Sequence, residues 1–137
     1  MDEFQISNNF ATGFIGRAIF MFAMLFLLWM MFRANTLAHE RGSNLIQKIL
    51  GTAISGSVLV FNLTAWNTFP AFFNNWAFSL SQLDSLSVGG QRFVDNMGAT
   101  GYLDTGLIPS DPVSIVFWLG ITIALFYGIW TAPEPKE

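Results

Sequence analysis

Cysteine is absent from this chain, and histidine and charged residues are scarce. Without cysteine the chain has no disulfide, thiolate metal site or cysteine nucleophile. Only 11% of the residues are charged, which is about half the share in a typical soluble domain. The formal net charge is −3, so bulk charge predicts neither nucleic acid nor an anionic membrane surface as a partner. The composition therefore argues against a water-soluble protein.

Hydrophobic residues account for 53% of the chain and include 15 phenylalanines. Three apolar stretches, residues 11–32, 44–66 and 113–131, are long enough as helices to cross a hydrocarbon core of about 30 Å. We therefore predict an all-α membrane protein in which residues 1–137 form a single membrane domain with three transmembrane helices and an amphipathic interfacial helix.

The polar connection between the first two spans is basic. Arg33, Arg41 and Lys48 lie in it, with Glu40 as its only acid. The positive-inside rule places this connection in the cytoplasm, the N-terminus outside and, after three crossings, the C-terminus in the cytoplasm. We expect the three basic residues to contact lipid headgroups or a partner, and His39 to be solvated or in contact with headgroups.

Arg17 lies about one and a half turns inside the start of the first span. A charge at the bilayer centre costs about 2.5–3.5 kcal/mol on insertion scales, but much less near the interface, which the side chain can reach by snorkelling. Two interpretations stay open. Arg17 either snorkels to a lipid phosphate or pairs with a carboxylate of a partner subunit.

The second span is unusually rich in small and hydroxylated residues. Gly51, Ser55 and Gly56 would let a neighbouring backbone approach closely, so this face predicts packing against protein. Near the far end of the span, Asn62 and Thr64 carry polar groups that must find partners in lipid. We expect both residues to form inter-helix hydrogen bonds.

The third span begins at a helix-start signal and carries a stripe of small residues. Asp111 is expected to cap the helix and Pro112 to occupy its first position. Gly120, Ala124 and Gly128 are spaced by four, which places them on one face and favours tight helix contact.

Tryptophan is typical of the two membrane–water interfaces, where its amphipathic ring lies at the level of the headgroups. We predict interfacial positions for Trp29, Trp66, Trp76, Trp118 and Trp130.

Residues 69–83 have apolar positions at helical spacing and polar residues opposite them, which predicts an amphipathic helix beginning near Pro70. This helix would lie either on the membrane surface or against sister subunits. Residues 84–111, with glycines and aspartates at turn positions, predict an outer loop. The aspartates of this loop lack the spacing of a calcium site, so no metal is expected there.

Catalytic and cofactor-binding residues are not apparent. The spans carry no acid, histidine or lysine near their midpoints, and a proton relay, an ion pathway or a set of cofactor ligands would need such residues. No serine motif accompanies the single histidine. We expect a non-catalytic protein with no intrinsic cofactor or metal, to which a phospholipid could bind.

The helical hairpin resembles a known class of membrane proteins. Residues 16–69 form a greasy helix, a short basic turn, and the run 48–51 (KILG) leading into 60–63 (VFNL). This order resembles small multispanning subunits of conjugative and type IVB secretion systems. The later helix that opens at 111–113 (DPV) is similar to a terminal helix in some of those proteins.

The resemblance extends to conjugative pilins, which share the two-helix hairpin with a basic turn. In that family the turn faces the lumen and lipid headgroups accompany each subunit. The resemblance thus implies that Arg33, Arg41 and Lys48 lie at a lumen or at the cytoplasmic interface.

These observations favour a non-catalytic structural or accessory subunit of a larger membrane complex, in the bacterial inner membrane. Three alternatives stay open: a component of a conjugation or type IV secretion apparatus; an accessory subunit of a respiratory, photosynthetic or membrane-oxygenase enzyme; and a small self-associating pore lined by Asn62 and Thr64. The expected partners are other integral membrane subunits, lipids and, for the pore, further copies of this chain.

Overall fold

The computed structural model describes residues 2–135, which form four α-helices and no strand. The helices are α1 (Glu3–Arg41), α2 (Leu45–Ser81), α3 (Val88–Met97) and α4 (Pro112–Thr131). The prediction of an all-α protein is confirmed. Helices α1, α2 and α4 are each long and apolar enough to cross a membrane.

Helix α1 is longer than the predicted span 11–32 at both ends. It begins after Asp2, which forms a capping box with Gln5, and no proline interrupts it before Arg41. The predicted polar connection is therefore mostly helical, and only residues 42–44 form the turn. Gly42 has φ +84°, a conformation that favours glycine, and Asn44 starts α2 through a second capping box with Gln47.

Helix α2 continues through Pro70 to Ser81, so the prediction of a separate helix over 69–83 was wrong. Proline removes one backbone hydrogen bond, but Ala65 before Pro70 and several residues after it are buried, and this packing stabilises the continuous helix. Ala71, Phe72, Ala77 and Leu80 are all buried. The apolar face, predicted to lie on a membrane surface or against sister subunits, thus packs inside the chain, with Phe72 against Phe10 and Phe14 of α1.

The predicted outer loop 84–111 contains a helix. Ser87 caps the start of α3, and Gly98, with φ +58°, ends it. The helix is amphipathic and packs Phe93 against Trp76 of α2, with ring centroids 4.8 Å apart. A loop was predicted over these ten residues because Gly89 and Gly90 lie at the start of the segment and turn-forming residues follow it.

Helices α1 and α2 form an antiparallel hairpin, and α4 packs against both. The shared core contains Leu28, Val58, Leu59, Trp118 and Leu125. As predicted, Asp111 caps α4 and Pro112 occupies its first turn.

The hairpin extends well past one end of α4. With 39 and 37 residues, α1 and α2 are about 58 and 55 Å long, whereas the 20 residues of α4 span about 30 Å, the thickness of a hydrocarbon core. Met21 and Pro70 share a cavity with Asp111, so they lie level with the start of α4. We call residues 3–20, 70–81 and 82–110, which lie beyond that level, the distal half.

Candidate functional site

The small-residue face of α2 is used within the chain. A Cβ atom built on Gly51 would lie 3.8 Å from Ile129, and one on Gly56 would lie 4.0 Å from Phe126. Ser55 is only 2% exposed. Gly51 and Gly56 thus lie against α4, so the protein that this part of the face meets is the chain's own third span.

The stripe on α4 is divided between two surroundings. Gly120 and Ala124 are exposed, and a Cβ atom built on Gly120 meets nothing within 4 Å. Gly128 instead faces α1, where a Cβ atom would lie 2.8 Å from Nδ2 of Asn35. The outer part of the stripe is thus open to a neighbour, and its end is used for internal packing.

Polar side chains fasten the C-terminal end of α4 to the hairpin. Asn35 donates a hydrogen bond to the Leu125 carbonyl (2.9 Å), and Nε2 of His39 lies 3.0 Å from the Gly128 carbonyl. Because a carbonyl only accepts, His39 must donate from Nε2. Lys48 donates to the Ala132 carbonyl (2.7 Å). Lys48 and His39, expected at headgroups or in solvent, therefore bind the unpaired carbonyls at a helix C-terminus.

The two polar residues predicted to join helices behave differently. Asn62 is 3% exposed, and its amide donates to the Met24 carbonyl of α1 (3.0 Å) as well as to Val58 (2.9 Å). Thr64 is exposed and donates only to Val60 of its own helix (2.9 Å). Among the residues that the structure describes, Asn62 thus forms an inter-helix bond and Thr64 does not.

The five tryptophans do not share one environment. Trp29 and Trp130 are 58% and 50% exposed. Trp118 is 3% exposed and its ring packs in the core of the chain. Trp66 donates to the Ser114 hydroxyl (3.1 Å), and Trp76 packs between Phe10 and Phe93.

Asparagines on α2 hold the segment that leads from α3 to α4. Asn67 and Asn74 donate to the carbonyls of Gly106 (2.9 Å) and Gly101 (2.7 Å). Asn75 forms two bonds with the backbone of Leu103. Asn74 and Asn75 are among the polar residues of the segment 69–83, for which an amphipathic helix was predicted. Their spacing of seven and eight from Asn67, which puts all three on one face, was the signal for a shared partner.

The first residues of α1 are tied to the start of α3. The Glu3 carboxylate accepts hydrogen bonds from the backbone N–H (2.6 Å) and the hydroxyl (2.7 Å) of Ser87.

At the other side of the distal half, hydrogen bonds from the Ser114 hydroxyl and backbone N–H lower the pKa of the Asp111 carboxyl.

Three arginines have different surroundings. Arg33 and Arg41 are exposed and have no hydrogen-bond or salt-bridge partner among residues 2–135. Arg17 lies over the Phe72 ring, with Cζ 4.5 Å from the ring centroid, and its Nη1 is 3.4 Å from the Gly13 carbonyl. Arg17 also lines a cleft of about 390 Å³ in the distal half, together with Phe10, Phe72, Tyr102 and Thr105.

Within residues 2–135, no three histidine or acidic side chains come together in a way that could hold a metal ion. Comparison of the chain with known protein families, with curated proteins and with solved structures finds no match.

Proposed function

We propose that this chain is a non-catalytic structural or accessory subunit of a larger membrane complex. The observation that carries the proposal is the position of Arg33. This residue is exposed, unpaired among the described residues, and two residues before Asn35, which is bonded to Leu125 in the second half of α4. Arg33 is thus about 12 Å from the end of α1, at 1.5 Å per residue.

A lone arginine at that depth calls for a counter-ion. Arginines close to a helix end reach the headgroups by snorkelling, whereas deeper ones pair with other groups inside a protein assembly. Residues 2–135 offer no acid at this depth, because α2 and α4 contain none and Glu3 and Glu40 lie near the two ends of α1. A second copy would lack one for the same reason. We therefore expect a carboxylate on a helix of a different subunit.

The open part of the α4 stripe supports the same function. Gly120 and Ala124 are exposed side by side, and small residues of this kind let a neighbouring helix approach closely in a bilayer. We infer that a partner helix packs there. The self-associating pore is less well supported, because Asn62 is buried and its amide is bonded to α1 and α2 carbonyls, so it is not available to line a channel.

A conjugation or type IV secretion apparatus in a bacterial inner membrane is one setting for such a subunit. Its support is the antiparallel α1–α2 hairpin with a three-residue turn at 42–44. In the orientation we propose, this turn and the C-terminal end of α4 face the cytoplasm, because Arg41 and Lys48 lie there.

The proposal is tested by native electrophoresis and mass spectrometry of membranes extracted in mild detergent, with wild-type chain, Arg33→Gln and Arg41→Gln. We expect a defined complex with wild type and with Arg41→Gln. Arg33→Gln should weaken the complex at least tenfold, since removing one partner of a buried charge pair costs about 2–5 kcal/mol. A wild-type chain that migrates alone, or a complex unaffected by Arg33→Gln, would contradict the proposal.

A further inference from the structure

The cleft in the distal half lies between α1, α2 and the segment that follows α3. Its volume is about 390 Å³. Phe10, Ala71 and Phe72 give it apolar walls, and Arg17, Tyr102 and Thr105 bring polar groups to it. Arg17 is the only charged residue in the lining, so the cleft contains a positive charge and no carboxylate.

The depth of this cleft matches the headgroup layer of a bilayer. Met21 is level with the start of α4, and Arg17 is four residues farther along α1, which corresponds to about 6 Å. A bilayer of about 40–45 Å with a core of about 30 Å has headgroup layers about 5–8 Å thick. With α4 spanning the core, Cα of Arg17 would lie in the headgroup layer, and its guanidinium, which reaches the Gly13 carbonyl one turn farther from the core, would lie at the outer part of that layer.

The guanidinium is held in place but is not saturated. Its Cζ lies 4.5 Å from the centroid of the Phe72 ring, a cation–π contact, and its one hydrogen bond within the described residues is the long contact of Nη1 with the Gly13 carbonyl. Gly13 leaves room for it, because a Cβ atom there would be 3.2 Å from Nη1. The remaining N–H groups of Arg17 have no protein acceptor among residues 2–135.

Three hydroxyl-bearing residues line the same cleft, and one of them, Thr68, already donates to the Thr64 carbonyl (2.7 Å). The Thr105 hydroxyl has no hydrogen-bond partner within residues 2–135, and the Tyr102 hydroxyl is 3.3 Å from the Ser79 hydroxyl. Arginine and hydroxyl donors together suit the oxygens of a phosphate group, which guanidinium binds with charge-assisted hydrogen bonds. The apolar walls of Phe10 and Phe72 suit the glycerol and first acyl carbons that adjoin such a phosphate.

We propose that this cleft binds the phosphate group of a phospholipid, with Arg17 as the charged ligand and Thr105 as a second donor. The site is separate from the faces assigned to partner subunits. It therefore does not depend on the proposed function, and the purified chain is sufficient to test it.

The experiment is native mass spectrometry of the purified full chain after exchange into detergent micelles that contain dioleoylphosphatidylglycerol, dioleoylphosphatidylcholine or dioleoylglycerol. We expect one molecule of either phospholipid per chain and no retained dioleoylglycerol, which has the same acyl chains but no phosphate. Arg17→Gln should lower the retained phospholipid about tenfold, as loss of a charge-assisted contact predicts. Arg92→Gln, at an exposed position of α3 that does not line the cleft, should leave it unchanged.

Inorganic phosphate at millimolar concentration distinguishes a site for phospholipid from a site for free phosphate. If it does not displace the lipid, the ligand is a phospholipid; if it displaces the lipid completely, the site is one for free phosphate and the lipid assignment is overturned. Equal retention of dioleoylglycerol, or full phospholipid retention in Arg17→Gln, would also overturn it. Thr105→Val, which removes only a hydroxyl, should lower retention severalfold and keeps the proposal testable if Arg17→Gln does not fold.

Discussion

At the residue scale, amide side chains rather than ion pairs join distant parts of this chain. Asn35 and Asn62 each reach a backbone carbonyl on another spanning helix, and Asn67, Asn74 and Asn75 hold the segment before α4. A neutral amide loses less hydration free energy in lipid than a charge does. A helical carbonyl can also accept a second hydrogen bond. The described residues thus form specific contacts between the chain's own helices without an ion pair between those helices.

Asp111 gives a pH-dependent contribution to the docking of α4. Hydrogen bonds from the Ser114 hydroxyl and backbone N–H lower its pKa in the folded chain. A carboxyl with a lowered folded-state pKa stabilises the fold above its unfolded pKa of about 3.9, and this stabilisation is lost as the pH falls through the folded-state value. We therefore compare the melting temperatures of the wild type and Asp111→Asn. At pH values lower than about 4, we expect the melting temperature of the wild type to decrease relative to that of the variant.

Asp111→Asn is the matched variant because asparagine also caps a helix but does not titrate in this range. Circular dichroism in detergent from pH 7 to pH 3 measures both melting temperatures, and the difference between them cancels the titration of the other carboxylates. Parallel curves over the whole range would show that Asp111 does not contribute this dependence.

At the element scale, sequence reasoning worked where a local signal decided the outcome. The Asp111–Pro112 start of α4 was found because capping is encoded in adjacent residues. The boundary at Pro70 was misplaced because burial of Phe72 and Leu80, which is a tertiary effect, keeps α2 continuous. The cleft at Arg17 could not be predicted from the sequence for the same reason. Tyr102 and Thr105 line it together with Arg17 only when the segment before α4 folds back against α1 and α2.

The two glycines of the α4 stripe allow a paired test of their different surroundings, because Gly128 packs inside the chain and Gly120 lies on an open surface. Gly128→Leu would place side-chain atoms where Asn35 already lies, so we expect it to destabilise the isolated chain by about 1–3 kcal/mol, as overpacking usually does. Gly120→Leu meets open space and should leave the isolated chain unchanged while weakening the complex. Unfolding in detergent measures the first effect and native electrophoresis the second. Equal stability losses in both variants would contradict this division of the stripe.

At the scale of the whole molecule, the unequal lengths of the helices divide it into two parts. The part level with α4 has apolar side chains outside and a small core inside, as expected for a bundle in lipid. The distal half contains the amphipathic α3 and the asparagine-held segment before α4. Its polar contacts, among them the bonds between Glu3 and Ser87, suit water better than hydrocarbon.

This division predicts which positions a membrane-impermeant maleimide reaches in intact cells or right-side-out vesicles, and the cysteine-free background makes the labelling specific. Asn8→Cys and Asn96→Cys, exposed in the distal half, should both be labelled from outside. Ala124→Cys, exposed near the middle of α4, should not react. Maleimide reacts with the thiolate, and a thiol that lies in hydrocarbon or against a neighbouring helix has no water to take up its proton. Glu40→Cys, at the opposite end of the hairpin, should react only after the membrane is permeabilised.

Protection of Asn8→Cys together with labelling of Asn96→Cys would mean that α1 enters the bilayer before residue 8, which would remove Arg17 from the headgroup layer. Labelling of Glu40→Cys alone from outside would instead keep the division and reverse the orientation, since the basic turn would then face outward.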